Sequence, residues 1–359
     1  MRTTMFQDYH QKQPKKNLLL RILIGILFCI AAMSICIILG YSLNNSVVLE
    51  RQSVTIANLS KDLDGFTILH ISDLNGKASI IEKKEIHTLL RGKTYHAVCF
   101  TGNMMGSAQE SEAFFELIRQ LQSLNSTVPI YYLPGTEDPH PLVSKPSGSD
   151  NILAEHIREL NAMGVTLVDR PIALKRKINK IWFSPEYLYS IDPAATLNAM
   201  TAEIKRMESE GNLFDEQVSL NYKQLSYRSR VMESALDAQK ITSDKDVQVI
   251  LSSYPLSAEY ISNTIRYNST ESLFSMKYAH LLLAGSLVGG QWQLPGGIPI
   301  YVPEYGFFPS RESIYGKSRI LTLEQYISPG LSTSSIYPYP KIRVFNSPTI
   351  TLIKLTSKY

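Results

Sequence analysis

An apolar stretch close to the N-terminus is the strongest feature in the pattern of hydrophobic and polar positions. Residues 18–41 contain one charged side chain, that of Arg21. As a helix, these 24 residues would be about 36 Å long, which is enough to cross the hydrocarbon core of a bilayer. The stretch is longer than the core of a cleaved signal peptide, and no A-x-A cleavage site follows it. We therefore predict an uncleaved transmembrane helix at residues 18–41.

After this stretch, short apolar runs alternate with segments of helical periodicity. The alternation predicts an α/β fold, with a linker and a first strand at 42–65 and a domain at 66–359. Helices are predicted at 82–91 and 110–124. The predicted strands lie at 54–59, 66–72, 96–101, 129–133, 165–168, 181–184, 247–252, 280–284, 298–302, 320–323, 341–345 and 349–355.

The pattern changes at residues 186–245, where the chain reads as helix rather than as strand. Asp192 followed by Pro193 is typical of a helix start, and a break follows at Gly211. A second helix is predicted around 223–239. The apolar residues that recur at helical spacing in the first helix are Leu197, Met200, Ile204 and Met207. We predict a helical insertion whose apolar face packs on the sheet, rather than a surface that binds a ligand.

Charge divides the chain at the apolar stretch. Residues 1–21 hold five basic side chains and one acidic side chain. The positive-inside tendency therefore predicts that the chain crosses the plasma membrane once, with a cytoplasmic tail at 1–17 and an extracytoplasmic domain. Subtracting these from the 36 basic and 32 acidic residues of the whole chain leaves 31 of each sign. A neutral domain lacks the broad positive surface that contacts nucleic-acid phosphates, so no nucleic-acid partner is expected.

Short motifs follow several of the predicted strands. In chain order they read His70-Ile-Ser-Asp-Leu-Asn-Gly76, Phe100-Thr-Gly-Asn-Met104, Leu133-Pro-Gly-Thr-Glu-Asp138, Leu251-Ser-Ser-Tyr-Pro255, Leu283-Ala-Gly-Ser-Leu-Val-Gly-Gly-Gln-Trp-Gln-Leu-Pro295, and Ser328-Pro-Gly-Leu-Ser-Thr-Ser334 with Ile342-Arg-Val-Phe-Asn-Ser-Pro348. This order resembles the calcineurin-like metallophosphoesterases, in particular their membrane-anchored branch, over about residues 50–357 apart from the insertion. The resemblance implies a four-layer α/β/β/α sandwich with metal ligands in loops at strand ends.

The resemblance carries seven metal-ligand positions over to this chain, and only Asp73 keeps the residue of the family. The positions that have lost the family's ligand are Asn75, Asn103, Thr136, Ser253, Ser286 and Val288. Asn103 stands where the family has the bridging aspartate. Glu137 replaces the histidine that assists the leaving group, so the catalytic position has changed as well.

These replacements remove the chemistry that a two-metal phosphoesterase needs. Two divalent cations held a few ångströms apart require anionic oxygen and imidazole ligands, whereas hydroxyl and amide groups are weak substitutes and Val288 offers no ligand atom. We therefore expect no catalytic residue, no metal and no other cofactor. The function predicted is that of a membrane-anchored binding or scaffold domain, whose partner is an unknown protein or a small-molecule ligand.

An alternative is a divergent phosphohydrolase with a rebuilt single-metal site. Asp73, Asn103, Glu137 and Asp138 carry oxygen atoms of the kind that hold one hard cation, such as Mg²⁺, Mn²⁺ or Ca²⁺. The simpler interpretation is that Asp73 accepts hydrogen bonds from loop amides and that the two acidic residues of the 133–138 loop are ordinary turn residues. The sequence favours the simpler interpretation.

Overall fold

The structure, a computed structural model, describes residues 16–43, 46–107, 110–146, 151–267 and 272–358. It is a mixed α/β structure with two six-stranded sheets in which parallel pairs predominate, as the alternating pattern predicts. The helices are α1 (Lys16–Leu43), α2 (Ala78–Glu82), α3 (Glu85–Leu90), α4 (Glu112–Leu124), α5 (Glu155–Ala162), α6 (Pro193–Glu210), α7 (Glu216–Ile241), α8 (Ala258–Tyr267) and α9 (Arg311–Ile314). Short 3₁₀ helices lie at Glu186–Tyr189, Met276–Tyr278 and Val288–Gly290.

The strands supply the frame on which the loops are placed. They are β1 (Val48–Ile56), β2 (Thr67–Ile71), β3 (Ala97–Thr101), β4 (Ile130–Leu133), β5 (Val165–Leu167), β6 (Ile172–Arg176), β7 (Asn179–Pro185), β8 (Val247–Leu251), β9 (Leu281–Ala284), β10 (Gln293–Leu294), β11 (Ile298–Pro299), β12 (Tyr301–Val302), β13 (Gly306–Phe307), β14 (Gly316–Ile320), β15 (Leu323–Ile327) and β16 (Thr349–Ser357).

The two large sheets have related topologies. The first has the strand order β1-β16-β2-β3-β4-β5, and all its pairs are parallel except β16 with β2. The second has the order β14-β15-β9-β8-β7-β6, with antiparallel pairs at both outer positions and parallel pairs between them. Since β2, β3 and β4 run in one direction, the loops after them share one edge of the first sheet. In the same way, the loops after the parallel strands β8, β9 and β15 share one edge of the second sheet.

Apolar side chains are buried on both faces of each sheet. One cluster lies between the sheets and includes Tyr131 and Phe183, whose rings stack 4.5 Å apart. A second packs the opposite face of the first sheet against α2–α5, with Phe100 and Phe114 in edge-to-face contact at 4.9 Å. A third packs the outer face of the second sheet against α7 and α8. Burial on both faces explains why β3, β8 and β9 are buried at every position.

Helix α1 contains the predicted transmembrane stretch. Residues Leu18–Gly40 form 23 residues of α1 that are long and apolar enough to cross a membrane. Near the end of this stretch, Gly40 is buried, and a Cβ atom placed there would lie 2.7 Å from Cγ1 of Val344. The end of the helix therefore packs directly on the α/β domain. Most of the predicted basic tail at 1–17 lies outside the described residues.

The segment predicted as a helical insertion contains α6 and α7. Asp192 caps α6 by accepting hydrogen bonds from the amides of Ala194 and Ala195, at 2.9 and 3.2 Å. Helix α7 is longer than the predicted 223–239. Asp215 caps its start by accepting from the amides of Gln217 and Val218, both at 2.9 Å. Leu197 and Met200 pack against the apolar cluster of the second sheet and Met207 is buried, whereas Ile204 is only partly buried.

Several predicted strand boundaries are wrong. The first strand, β1, begins at Val48 rather than at 54, because it pairs along its whole length with β16. Residues 320–323 form the turn between β14 and β15, where Leu321 has a φ of 53°. The run at 298–302 is divided between two hairpins, and 341–345 contributes only an isolated bridge between Trp292 and Val344.

Other differences concern helices and an edge strand. The predicted helix at 82–91 is the end of α2 followed by α3, and the two are separated by Lys84 with a φ of 52°. Strand β6 and helices α5 and α8 were not predicted. Helices α5 and α8 have 8 and 10 residues, and β6 lies at the edge of its sheet, so each gives only a short stretch of pattern.

His70 on β2 gives the fold a measurable pH dependence. Its Nε2 atom lies 2.7 Å from Oγ1 of Thr101, and complete burial lowers its pKa from 6.5 to about 3. The unfolded chain therefore binds a proton below pH 6.5 that the folded chain rejects. Relative to His70→Phe, the wild type should lose about 2 kcal/mol of unfolding free energy between about pH 6.5 and pH 4.5 in urea titrations followed by tryptophan fluorescence.

The matched control is His87→Gln, because His87 lies partly exposed on α3. This control should keep the wild-type pH slope. If the unfolding free energy of His70→Phe changed with pH as steeply as that of the wild type, the assignment of a buried neutral imidazole would be contradicted.

Candidate functional site

The loops at the aligned strand ends converge on the side chain of Asp73. This residue follows β2 and is fully buried. Asn103 follows β3, Ser286 follows β9, and both contact the Asp73 carboxyl group. Gly330, which follows β15, packs so closely that a Cβ atom on it would lie 2.9 Å from Cβ of Asp73. Loops of both sheets therefore meet around one carboxyl group.

The carboxyl group of Asp73 receives hydrogen bonds from the loops after β3 and β9 and from the neighbouring Ser72. Asn103 Nδ2 donates to Oδ1 at 3.0 Å, and the Ser286 amide donates to both oxygens at 3.1 Å. Ser72 Oγ donates to Oδ2 at 2.5 Å. Both oxygens are thus surrounded by donors, which is the arrangement that a buried carboxylate requires.

Asn103 connects three of the loops through a fixed orientation of its amide group. Its Oδ1 accepts from the backbone amide of Glu137 at 3.0 Å. Because a backbone amide can only donate, this contact assigns the oxygen, and Nδ2 must then face Asp73. The second Nδ2 hydrogen is donated to Oγ of Ser286 at 2.9 Å. Asn103 therefore offers donors, not lone pairs, to the centre of the site.

Burial and hydrogen bonding act on the charge of Asp73 in opposite directions. Burial raises its pKa to about 7, while bonds from Ser72, Asn103 and Ser286 and the positive charge of Arg343 lower it. The pKa of Asp73 is thus higher in the folded chain than in the unfolded chain. Its contribution to the free energy of unfolding is therefore present at acidic pH and is lost as pH rises through about 7.

Arg343 is a buried cation that the sequence analysis did not single out. It donates to the carbonyl oxygens of Pro329 and Asn346, at 2.8 and 2.7 Å, and to that of Ser332. These bonds tie the 328–334 loop to the 342–348 segment. Burial lowers the pKa of Arg343 to about 10, and the nearby Asp73 opposes that shift. The arginine of the C-terminal motif was the available signal, but a buried arginine is rare enough to be overlooked.

Glu137 and Asp138 direct their carboxylates away from Asp73. Glu137 accepts hydrogen bonds from the amide and Oγ of Ser335. Asp138 accepts from the amides of Met105 and Gly135, at 2.7 and 2.8 Å. Burial raises the pKa of Asp138, and the backbone hydrogen bonds oppose that shift. Of the four residues of the single-metal alternative, Asp73 and Asn103 bond each other, whereas the carboxylates of Glu137 and Asp138 bond groups of other loops.

The remaining replaced positions have separate environments. Asn75 Nδ2 donates to the carbonyl oxygen of Thr333 at 2.8 Å. Thr136 is exposed, and Ser253 is half-buried with its Cβ 3.0 Å from the Cβ position of Gly102. Val288 is fully buried in an apolar cluster with Leu287 and Tyr337. Val288 thus belongs to a packed core and offers nothing to a polar ligand.

Five of the seven positions carried over by the resemblance have left-handed backbone conformations. Their φ angles are 57° at Asp73, 48° at Asn75, 55° at Asn103, 72° at Ser286 and 39° at Val288. Asparagine and aspartate tolerate this region, but a β-branched residue there is a clear outlier. Strained backbone is typical of functional sites. At Val288 the strain persists beside a side chain that can neither donate nor accept a hydrogen bond.

In the part of the chain that the structure describes, no group of three or more histidine, cysteine, aspartate or glutamate residues is arranged to hold a metal ion. The described contacts of the Asp73 carboxyl group are hydrogen bonds from Ser72, Asn103 and Ser286.

Asp73→Asn should destabilise the domain, because in either orientation the new Nδ2 group would lie against the Ser286 amide, which is also a donor. We expect a loss of about 2 kcal/mol at pH 8, measured by urea unfolding of the detergent-solubilised chain. The exposed Asp244→Asn is the matched control and should be neutral. Equal stability of Asp73→Asn and the wild type would mean that the donors around Asp73 do not bond a carboxylate.

No family model matches the chain, and no curated protein matches it. Among solved structures, the chain is similar to the phosphopantetheinyl hydrolase (PptH) from Mycobacterium tuberculosis, at 11% identity over 79% of this chain and 96% of that chain, with a TM-score of 0.38. A second solved structure is similar at 10% identity over 74% of this chain and 91% of that chain, with a TM-score of 0.36. Similarities this low assign no function, which has to be argued from the residues of the chain itself.

Proposed function

We propose that this chain is a membrane-anchored, metallophosphoesterase-like protein that has no catalytic activity and acts as a binding or scaffold domain. The observation that carries the proposal is the orientation of Asn103, which donates to Asp73 and to Ser286. At this position the resembled family has a bridging aspartate whose carboxylate coordinates the metal ions. A donor in its place satisfies the buried carboxylate without a cation.

The proposal includes a four-layer α/β/β/α sandwich for the domain. It is supported by the apolar cluster between the two sheets and by the clusters on their outer faces beneath helices. It is also supported by the positions of the motif loops, which follow parallel strands at one edge of each sheet. In this proposal the chain shares with the resembled family the positions of the loops, but not the metal-binding side chains on them.

The residues present do not fit a dinuclear metal centre. The central amide presents hydrogens to Asp73, the Ser286 hydroxyl accepts one of them, and Val288 is part of an apolar cluster. With Asp73 as the one carboxylate in the network, the ligand charge would be too small to offset the repulsion between two divalent ions. We therefore derive no reaction through a metal at this site.

A single-metal phosphohydrolase would need a different arrangement of the same loops. Glu137 would have to leave Ser335, Asp138 would have to leave two backbone amides, and the Asn103 amide would have to turn over. Turning that amide would place two donors, Nδ2 and the Glu137 amide, against each other. Each change removes a formed hydrogen bond, so the non-catalytic function is the better supported of the two.

We also propose that α1 crosses the plasma membrane once, with a cytoplasmic N-terminus and an extracytoplasmic domain. The support for orientation is the excess of basic residues before the apolar stretch. The support for a span is the length and apolar composition of Leu18–Gly40.

A cavity beside the helical insertion supports a binding role. It has a volume of about 390 Å³ and lies between the loop after β4 and helices α6 and α7. Apolar side chains dominate its lining, and Tyr227 and Asp169 supply polar atoms that already bond each other. Its size and composition are those of a small-molecule pocket, although a protein partner that inserts a side chain would use the same space.

The test is metal content together with hydrolysis. The purified full chain should retain no stoichiometric metal in elemental mass spectrometry after exposure to Mn²⁺, Zn²⁺ or Mg²⁺ and dialysis. It should also not hydrolyse bis(p-nitrophenyl) phosphate above the rate of the Asp73→Ala variant. Stoichiometric metal, with turnover that disappears in Asp73→Ala, would replace the binding proposal by the single-metal hydrolase.

A further inference from the structure

A second cavity lies on the side of the domain that meets the membrane helix. It has a volume of about 320 Å³ and is formed between the α2–α3 region and the segment that precedes β16. Its lining residues include Val47, Lys77, Lys83, Lys341 and Arg343. This cavity shares no lining residue with the cavity beside the insertion, and it adjoins the Asp73 network through Arg343.

Its lining is strongly positive. Three lysines and one arginine line the cavity, against one acidic residue, Glu85. The Glu85 carboxylate already accepts a hydrogen bond from the backbone amide of Val47 at 2.7 Å. Among the described residues, Lys77 and Lys341 take part in no ion pair. Their positive charges are therefore available to an anion that enters the cavity.

Arg343 supplies a fixed charge at the inner wall. Its guanidinium group is buried and is held by carbonyl oxygens of the 329–347 region, so it cannot turn away from its neighbours. Lys77, Lys83 and Lys341 line the same cavity, so four basic side chains lie around one space. A bound anion would reduce the repulsion between these positive charges.

The cavity is next to the predicted membrane surface. Val344 and Phe345 contact the end of the membrane-spanning stretch at Gly40, and the chain then runs directly back through Arg343 and Lys341 into the cavity wall. On the opposite side, Val47 follows the end of α1 and lines the same cavity. Two short chain segments thus place the positive cavity within a few residues of the anchor.

We propose that this cavity binds the phosphate of an anionic phospholipid headgroup, in the leaflet that faces the domain. Lysine side chains are suited to a phosphate as strongly hydrated point charges, and basic residues at a membrane surface gain from anionic lipid. Lys77 and Lys341 would bind the phosphate, and Arg343 would hold the wall in place. Headgroup binding would fix the domain against the bilayer instead of leaving it free on its anchor.

The experiment compares the full chain in nanodiscs of phosphatidylcholine with the full chain in nanodiscs that also contain phosphatidylglycerol. The anionic lipid should raise the Tm of the wild type by about 4 °C, because it binds the folded state alone. The Lys77→Gln/Lys341→Gln variant should lose that rise. The Lys205→Gln/Lys240→Gln variant, which removes two exposed lysines of the insertion, should keep it.

A third arm adds inorganic phosphate to the phosphatidylcholine nanodiscs and should leave Tm unchanged. If phosphate alone produced the rise, the cavity would be a site for a free anion and the lipid proposal would be overturned. A rise that survives in Lys77→Gln/Lys341→Gln, or that disappears equally in the insertion variant, would assign the effect to general surface charge. No rise in the wild type would remove the proposal altogether.

Discussion

The structure depends on how the buried carboxyl group of Asp73 is satisfied. A carboxylate away from water is costly unless donors or a cation surround it. In this chain the donors come from Ser72, Asn103 and the amide of Ser286, and they belong to loops of both sheets. One buried acid therefore bonds the end of β2 to the end of β9, which belongs to the other sheet.

The surrounding backbone is built for this close approach. A Cβ atom at Gly285 would lie 2.8 Å from Cβ of Ser72 and 3.0 Å from Oδ2 of Asp73, so a larger residue would displace the network. The three residues that bond one another at the site, Asp73, Asn103 and Ser286, all have left-handed conformations. At Val288 the same conformation carries an apolar side chain. In the function we propose, the loops keep the backbone geometry of the resembled family without its ligand side chains.

The sequence predicted the parallel strands well because their apolar runs are bounded by glycine or turn residues, as in β3 and β9. It failed where a short apolar run is a turn, as at 320–323, since periodicity over four residues does not separate the two. The identities of Asp73 and Asn103 were readable from the motifs. The direction of the Asn103 amide was not, because it is set by the Glu137 amide from another loop. Arg343 was missed because its partners are carbonyl groups, which leave no trace in the sequence.

The 341–348 segment connects α1 and the positive cavity to the Asp73 network. The 341–348 segment contacts Gly40 at one point, lines the positive cavity at another, and is tied through Arg343 to the 328–334 loop, whose Ser332 amide donates to the carbonyl oxygen of Asp73 at 2.7 Å. A change at the membrane side therefore has a continuous bonded route to the network.

The most direct test of the central claim is an anomalous diffraction map from crystals of the full chain soaked in Mn²⁺. Our account predicts no manganese peak beside Asp73, with Asn103 Nδ2 within hydrogen-bond distance of both Asp73 and Ser286. A manganese peak between Asp73 and Asn103, with the Asn103 oxygen or the Glu137 carboxylate turned towards it, would contradict the account.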